Sequence, residues 1–113
     1  MPRNSIENGF CLDDRLMLQC QKGEAEAFNQ IVQRHRTTLV TFIARLLGDR
    51  ETAEDLAQES LLRMYRAANR YKADGSTKFT TWMYHIASNL CKNELRNRDR
   101  RQRHFVVQMH EQS

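Results

Sequence analysis

Residues 78–103 read KFTTWMYHIASNLCKNELRNRDRRQR, and their spacing predicts one long helix with two unlike faces. Phe79, Trp82, Met83, Ile86, Leu90 and Asn93 follow steps of three and four residues and share one face. His85, Ser88, Lys92, Arg96, Arg100 and Arg103 fall on another. One face is built to pack and the other is basic. Between Lys92 and Arg103, six basic residues (Lys92, Arg96, Arg98, Arg100, Arg101, Arg103) stand against Glu94 and Asp99, a surplus of four that equals the +4 of the whole chain. The rest of the molecule is therefore balanced in charge. A surplus gathered on one helix face is the footprint of an element that binds phosphates.

Outward from that stretch, the chain is all-α. The loop before it, RYKADGST over 70–77, carries the turn signal DGS and no hydrophobic period. Tyr71 and Phe79 flank it beside Lys72 and Lys78, where their rings either offer stacking surfaces to unpaired bases or pack as a hinge. Before the loop, residues 50–69 predict a helix with a small-residue stripe, Ala53, Leu56, Ala57, Leu61, Met64 and Ala68. On its other side stand Asp55, Gln58, Glu59, Leu62 and Arg66. Acidic residues at a helix start are favoured by the helix dipole alone. An apolar Leu62 among them points instead to a docking face.

Residues 24–47 predict another long helix through Phe28, Ile31, Val32, Leu39, Phe42, Ile43 and Leu46. Gly48 is placed to end it in the left-handed region and Asp49 to cap the next. So short a corner makes the two helices antiparallel neighbours. Nearer the start, Asp13 is expected to cap a short helix with Leu12 as its hydrophobic staple and Leu16, Met17 and Cys20 inward, ending near Gly23. Residues 1–11 lack periodicity and are expected to be a flexible terminus. Residues 12–104 form the helical domain, and 105–113 begin a linker or tail, in which Phe105, Val106, Val107 and Met109 either extend the last helix or fold back.

At 113 residues, 40% hydrophobic and 28% charged, with one proline and four glycines, the chain suits one compact bundle of about four helices. The pI of about 9.3 favours polyanionic partners. No apolar run approaches the ~20 residues of a membrane span, and the first ten residues lack the pattern of a signal peptide, so membrane insertion is not expected and a cytoplasmic location is. Cys11, Cys20 and Cys91 are scattered and without a paired motif, which argues against zinc and against a disulfide framework. His35, His85, His104 and His110 are dispersed, and Glu54, Asp55 and Glu59 have no nearby His or Cys in sequence. No enzymatic activity, metal or other cofactor is expected.

The strings GEAEAFNQIVQRH (23–35), LLGDRETAEDLAQESLLRMYRA (46–67) and FTTWMYHIASNLCKNELRNRDRR (79–101) resemble the second conserved region of bacterial RNA polymerase sigma factors of the extracytoplasmic-function (ECF) group. The similarity runs in order from about Asp13 to Arg103. Its most specific part is AEDLAQE followed, at the proper distance, by W-x-x-x-I-A-x-N. A whole factor of this group also has a C-terminal helix-turn-helix domain, which nothing after Arg103 supplies, so the chain is expected to be one excised domain.

The resemblance implies a transcription initiation factor domain with two partners. Its third helix would bind the clamp helices of the RNA polymerase β′ subunit through Asp55, Gln58, Glu59 and Leu62. Its fourth helix and the preceding loop would recognise the promoter minus-ten element and help melt it by capturing bases of the non-template strand. Tyr71, the loop from Lys72 to Lys78, Phe79, Tyr84, Ile86 and Asn89 align with that pocket, and the loop is slightly longer than is usual in the group. Beside them, Lys92, Arg96, Arg100 and Arg103 can track phosphates without reading sequence, whereas the Asn89 amide can read a base edge. An anti-sigma protein is a further partner the family implies. Two alternatives remain at this level: a module bound chiefly by such an inhibitor, and a basic helical RNA-binding domain.

Overall fold

A computed structural model gives the fold and describes residues 11–112, with side chains as far as Met109. The expected flexible terminus thus falls, apart from Cys11, outside the described residues. Four α-helices follow in order: α1 Leu12–Gln21, α2 Ala25–Leu47, α3 Arg50–Arg66 and α4 Phe79–Gln112, with a 3-10 turn Ala68–Arg70 between the last two. None is long and apolar enough to cross a membrane.

The corner between α2 and α3 forms as its residues dictate. Gly48 takes φ 72°, where a side chain would be strained, and its N–H donates to Ala44 O at 2.7 Å. Asp49 then caps α3 by accepting from the Glu51 N–H at 3.1 Å and from the Thr52 hydroxyl. The Thr52 hydroxyl is the main reason that the Asp49 carboxyl is held below the ordinary carboxylate range. Along α3, Ala53, Ala57 and Ser60 are fully buried, so small side chains let the backbone approach its neighbours closely. The Ser60 hydroxyl is not orphaned there, because it donates to Leu56 O at 2.8 Å.

The packing face of α4 is Phe79, Met83, Ala87, Leu90 and Cys91, with Trp82 and Ile86 only half-buried at its edge and Asn93 exposed. Arg98 belongs to this face and not to the basic one. Its Nη1 donates to Leu47 O at 2.9 Å, its Nε to Glu94 at 3.0 Å, and its Nη2 lies 3.4 Å from Asp49. One guanidinium thus closes the carbonyl end of α2 and meets the cap of α3. Arg98→Ala is expected to cost about 1.5–3 kcal/mol, the range for hydrogen bonds to a charged group. A urea melt showing no loss would reject the clamp.

Beyond that clamp, every described side chain from Asp99 to Met109 is exposed. Phe105, Val106, Val107 and Met109 extend the helix and do not fold back, and they remain 48–59% exposed.

The start of the chain departs from expectation. Asp13 does not cap α1: Cys11 occupies the N-cap, without a side-chain bond, and Asp13 lies inside the first turn, buried. Leu12, expected as a staple, is 43% exposed, while Leu16 and Met17 point inward as the period predicts. Asp13 accepts from Arg34 Nε at 2.9 Å and from His35 Nε2 at 2.8 Å. Burial acts to raise the Asp13 pKa, but those hydrogen bonds and positive charges outweigh it and leave the carboxyl below its usual range.

A depressed carboxylate stabilises the fold at pH above its unfolded value, about 3.9. That contribution disappears as pH falls through the lower folded value. The urea midpoint of the wild type is therefore expected to fall more steeply below pH ~4 than that of Asp13→Asn. Parallel curves would show that Asp13 contributes nothing to acid unfolding. The variant is needed as reference because Asp49 and Asp74 are shifted in the same direction.

Candidate functional site

The outward face of α4 gathers the charge that the sequence promised. His85, Asn89, Lys92, Arg96, Arg100 and Arg103 are all exposed and follow one another at steps of three and four residues. Arg96 donates to Asn93 Oδ1 at 3.0 Å, and Arg103 pairs with Asp99 at an exposed site where an ion pair is weak. Lys92, Arg96 and Arg100 have no acidic partner among the described residues, and Arg101 lies 3.5 Å from Glu94. Asn89 Nδ2 sits 3.4 Å from His85 Nε2, too long to hold the amide firmly.

The aromatic residues are arranged otherwise than expected. Tyr71 and Phe79 do not offer free faces: they are 6% and 1% exposed. Their rings lie 5.8 Å apart edge to face, and Phe79 also packs at 5.1 Å on His35. The packing alternative holds for both. Burial first, then the hydrogen bond donated to Asp14, pushes the Tyr71 phenol well above its ordinary pKa.

Tyr84 and Ile86 do not share a pocket either, because two residues along a helix are about 200° apart around its axis. Tyr84 turns towards α2, with its ring 4.8 Å from Phe42. Ile86 lies on the opposite flank, on the side of Trp82 and Asn89.

Trp82, not among the residues expected at this face, is the aromatic that borders it. It is half-buried, packs at 4.8 Å on Tyr71 and continues through Ile86 and Asn89 at i, i+4 and i+7. That spacing was the available signal. The loop beside it is exposed at Lys72 and from Asp74 to Lys78, with Asp74 accepting from the Ser76 N–H at 3.0 Å in a local turn.

A second surface lies between α2 and α3. Phe28, Val32, Leu61, Leu62 and Tyr65, bordered by Arg36 and Gln58, line an open groove of about 360 Å³. Phe28 and Tyr65 meet edge to face at 5.1 Å, and Leu62 and Tyr65 remain 41% and 53% exposed. Asp55, Gln58 and Leu62 share this face, while Glu59 is half-buried and paired with Arg63 at 3.2 Å. Phe28, Val32 and Tyr65 were not among the expected docking residues; Tyr65 lies three residues after Leu62, and the other two become its neighbours only through packing.

The family model for Sigma-70 region 2 matches residues 31–101. The chain belongs to the sigma-70 region 2 family. Over 89 residues it is 36% identical to the RNA polymerase sigma-H factor of Pseudomonas aeruginosa, covering 79% of this chain and 45% of that protein. Over 80 residues it is 38% identical to the ECF RNA polymerase sigma factor SigW of Bacillus subtilis, covering 71% of this chain and 42% of that one. The chain spans about half the length of the curated relatives it matches.

Among solved structures, it matches an engineered region 2 of sigmaE in complex with GTAAAA, with a TM-score of 0.70 and 34% identity over 79% of this chain and 90% of that one. The all-α bundle is thus the fold of this region, and the ECF resemblance read from the AEDLAQE and W-x-x-x-I-A-x-N strings holds.

Proposed function

We propose that this region 2 domain joins RNA polymerase through the α2–α3 groove and holds a single strand of the promoter minus-ten element on α4. The observation that carries the reading is the similar sigmaE region 2, bound to GTAAAA, taken with the row of exposed Asn89, Lys92, Arg96 and Arg100 on one helix face here. Phosphates meet the cations, which position the strand; Asn89 and the edge formed by Trp82 and Ile86 meet the bases, which specify it.

Taking a base out of a duplex costs a few kcal/mol. Stacking on an exposed aromatic face contributes about 1–3 kcal/mol per base, so capture of unpaired bases offsets the cost of opening without nucleotide hydrolysis. On this geometry Trp82, and not Tyr71 or Phe79, supplies that face. In the groove, Leu62 and Tyr65 supply the apolar surface, and Asp55 and Gln58 the polar rim, of a helix-binding site.

The test is a titration of the chain with single-stranded GTAAAA, a scrambled hexamer and the corresponding duplex, followed by the emission of Trp82, the sole tryptophan. Saturable quenching by GTAAAA, weaker with the scrambled strand, is the expected result. Equal quenching by all three would reduce α4 to an unspecific phosphate binder.

A further inference from the structure

We propose that Gln21, the last residue of α1, is a positioning residue for the loop that borders the strand-holding face of α4, acting through Tyr71 and the Trp82 ring that rests on it; this rests on the promoter-strand reading above. The single side-chain amide of Gln21 donates to Ala68 O and to Tyr71 O, both at 2.8 Å and across 47 and 50 residues of sequence. These carbonyls lie at the two ends of the turn that leads from α3 into the loop, and the first also accepts the Tyr71 N–H at 3.1 Å.

Tyr71 itself is extended, with φ −70° and ψ 132°, so no helical bond satisfies its carbonyl. Asp14, at the other end of α1, accepts from the Tyr71 hydroxyl. Helix α1 therefore fixes both the backbone and the ring of one residue. Past that residue, among the described residues, the loop from Lys72 to Lys78 makes no side-chain hydrogen bond except the local one at Asp74.

Consequently Tyr71 is the last residue before the loop that long-range hydrogen bonds tie to the body of the domain, with only the half-buried Ala73 touching the core beyond it, and its ring is the wall on which Trp82 rests at 4.8 Å. Gln21 lies on α1 and is not among the residues proposed to touch the strand. What it controls is where Lys72 and the Trp82 ring stand. Without the amide, the Tyr71 carbonyl loses its donor and Ala68 O keeps only the Tyr71 N–H, so the start of the loop is held by that bond, the Tyr71 hydroxyl, ring packing and the half-buried Ala73.

Two variants of the full chain decide this. Gln21→Met keeps the length and removes both donors; Gln21→Glu keeps the shape and sets an acceptor against two carbonyl oxygens. Three quantities are read for each: the emission of Trp82, the affinity for single-stranded GTAAAA and the thermal midpoint. For both variants the emission is expected to shift to the red and the affinity to fall about fivefold, because binding must then order a loop start that the two bonds no longer hold in the free protein. The loss is expected at temperatures where the variant is still fully folded.

A merely structural Gln21 would lower the midpoint and leave the emission and affinity of the folded protein at wild-type values, which overturns the proposal. Should wild type bind no strand, the promoter reading fails and Trp82 alone decides. A red shift in both variants keeps Gln21 as the positioning residue of the loop, and an unchanged spectrum removes it.

Discussion

Replacing Arg96 and Arg100 together by glutamine is expected to weaken binding of every single strand alike, by about 25-fold at 0.1 M salt. The magnitude follows from counterion release. Each phosphate contact on a single strand contributes about 0.7 to the slope of log K against log salt, so two contacts contribute about 1.4, which is about 25-fold between 0.1 M and 1 M. Both side chains are exposed one helical turn apart and have no acidic partner among the described residues, so their charge is available to a strand. Neither packs against the bundle, and the unfolding free energy is expected to stay within about the ±0.5 kcal/mol of an ordinary surface change. The measurement is a titration with GTAAAA and a scrambled hexamer at four salt concentrations. A loss confined to one of the two sequences would mean that these arginines read bases.

Arg98 makes the contrast and shows where sequence reading reached its limit. In the sequence it is one of six cations in a basic run; in the fold it is spent on Leu47 O, Asp49 and Glu94, about fifty residues away in two of the three cases. No local pattern distinguishes it from Arg96, because its partners are brought to it by packing. Tyr71 is similar: aromatic and beside a lysine, it reads as a stacking ring until α1 covers it with Asp14, which is 57 residues distant.

What was legible obeyed local rules. The Gly48 and Asp49 corner depends on backbone conformation and a side-chain cap, and both are properties of adjacent residues. The basic face and the small-residue stripe of α3 follow from the helical period alone. The period also separates Tyr84 from Ile86, and only the alignment to a family pocket set them together. Asp13 could satisfy a helix start or a buried pair equally well by its chemistry, and the presence of Arg34 and His35 on α2 decided for the pair.

The double variant Asp55→Ala, Leu62→Ala is expected to reduce affinity for a β′ clamp-helix fragment by about three- to tenfold while leaving both the fold and GTAAAA binding intact. Leu62 is 41% exposed in the free domain, so truncating it opens no core cavity. Its cost appears only when a partner covers it. Fully burying a leucine side chain contributes about 1.5–3 kcal/mol, so covering the two-fifths of Leu62 that is exposed contributes about 0.6–1.2 kcal/mol, roughly three- to eightfold in affinity. Asp55 stands on the rim, where a charge acts more on the rate of encounter than on the lifetime of the complex. The loss should therefore divide, with Leu62 raising the dissociation rate and Asp55 lowering association at low salt. The groove is lined by α2 and α3 alone, and the strand is assigned to α4, so the two affinities should vary independently. Unchanged clamp-helix binding by the folded double variant would remove the polymerase from this groove and leave its exposed Leu62 and Tyr65 to another partner.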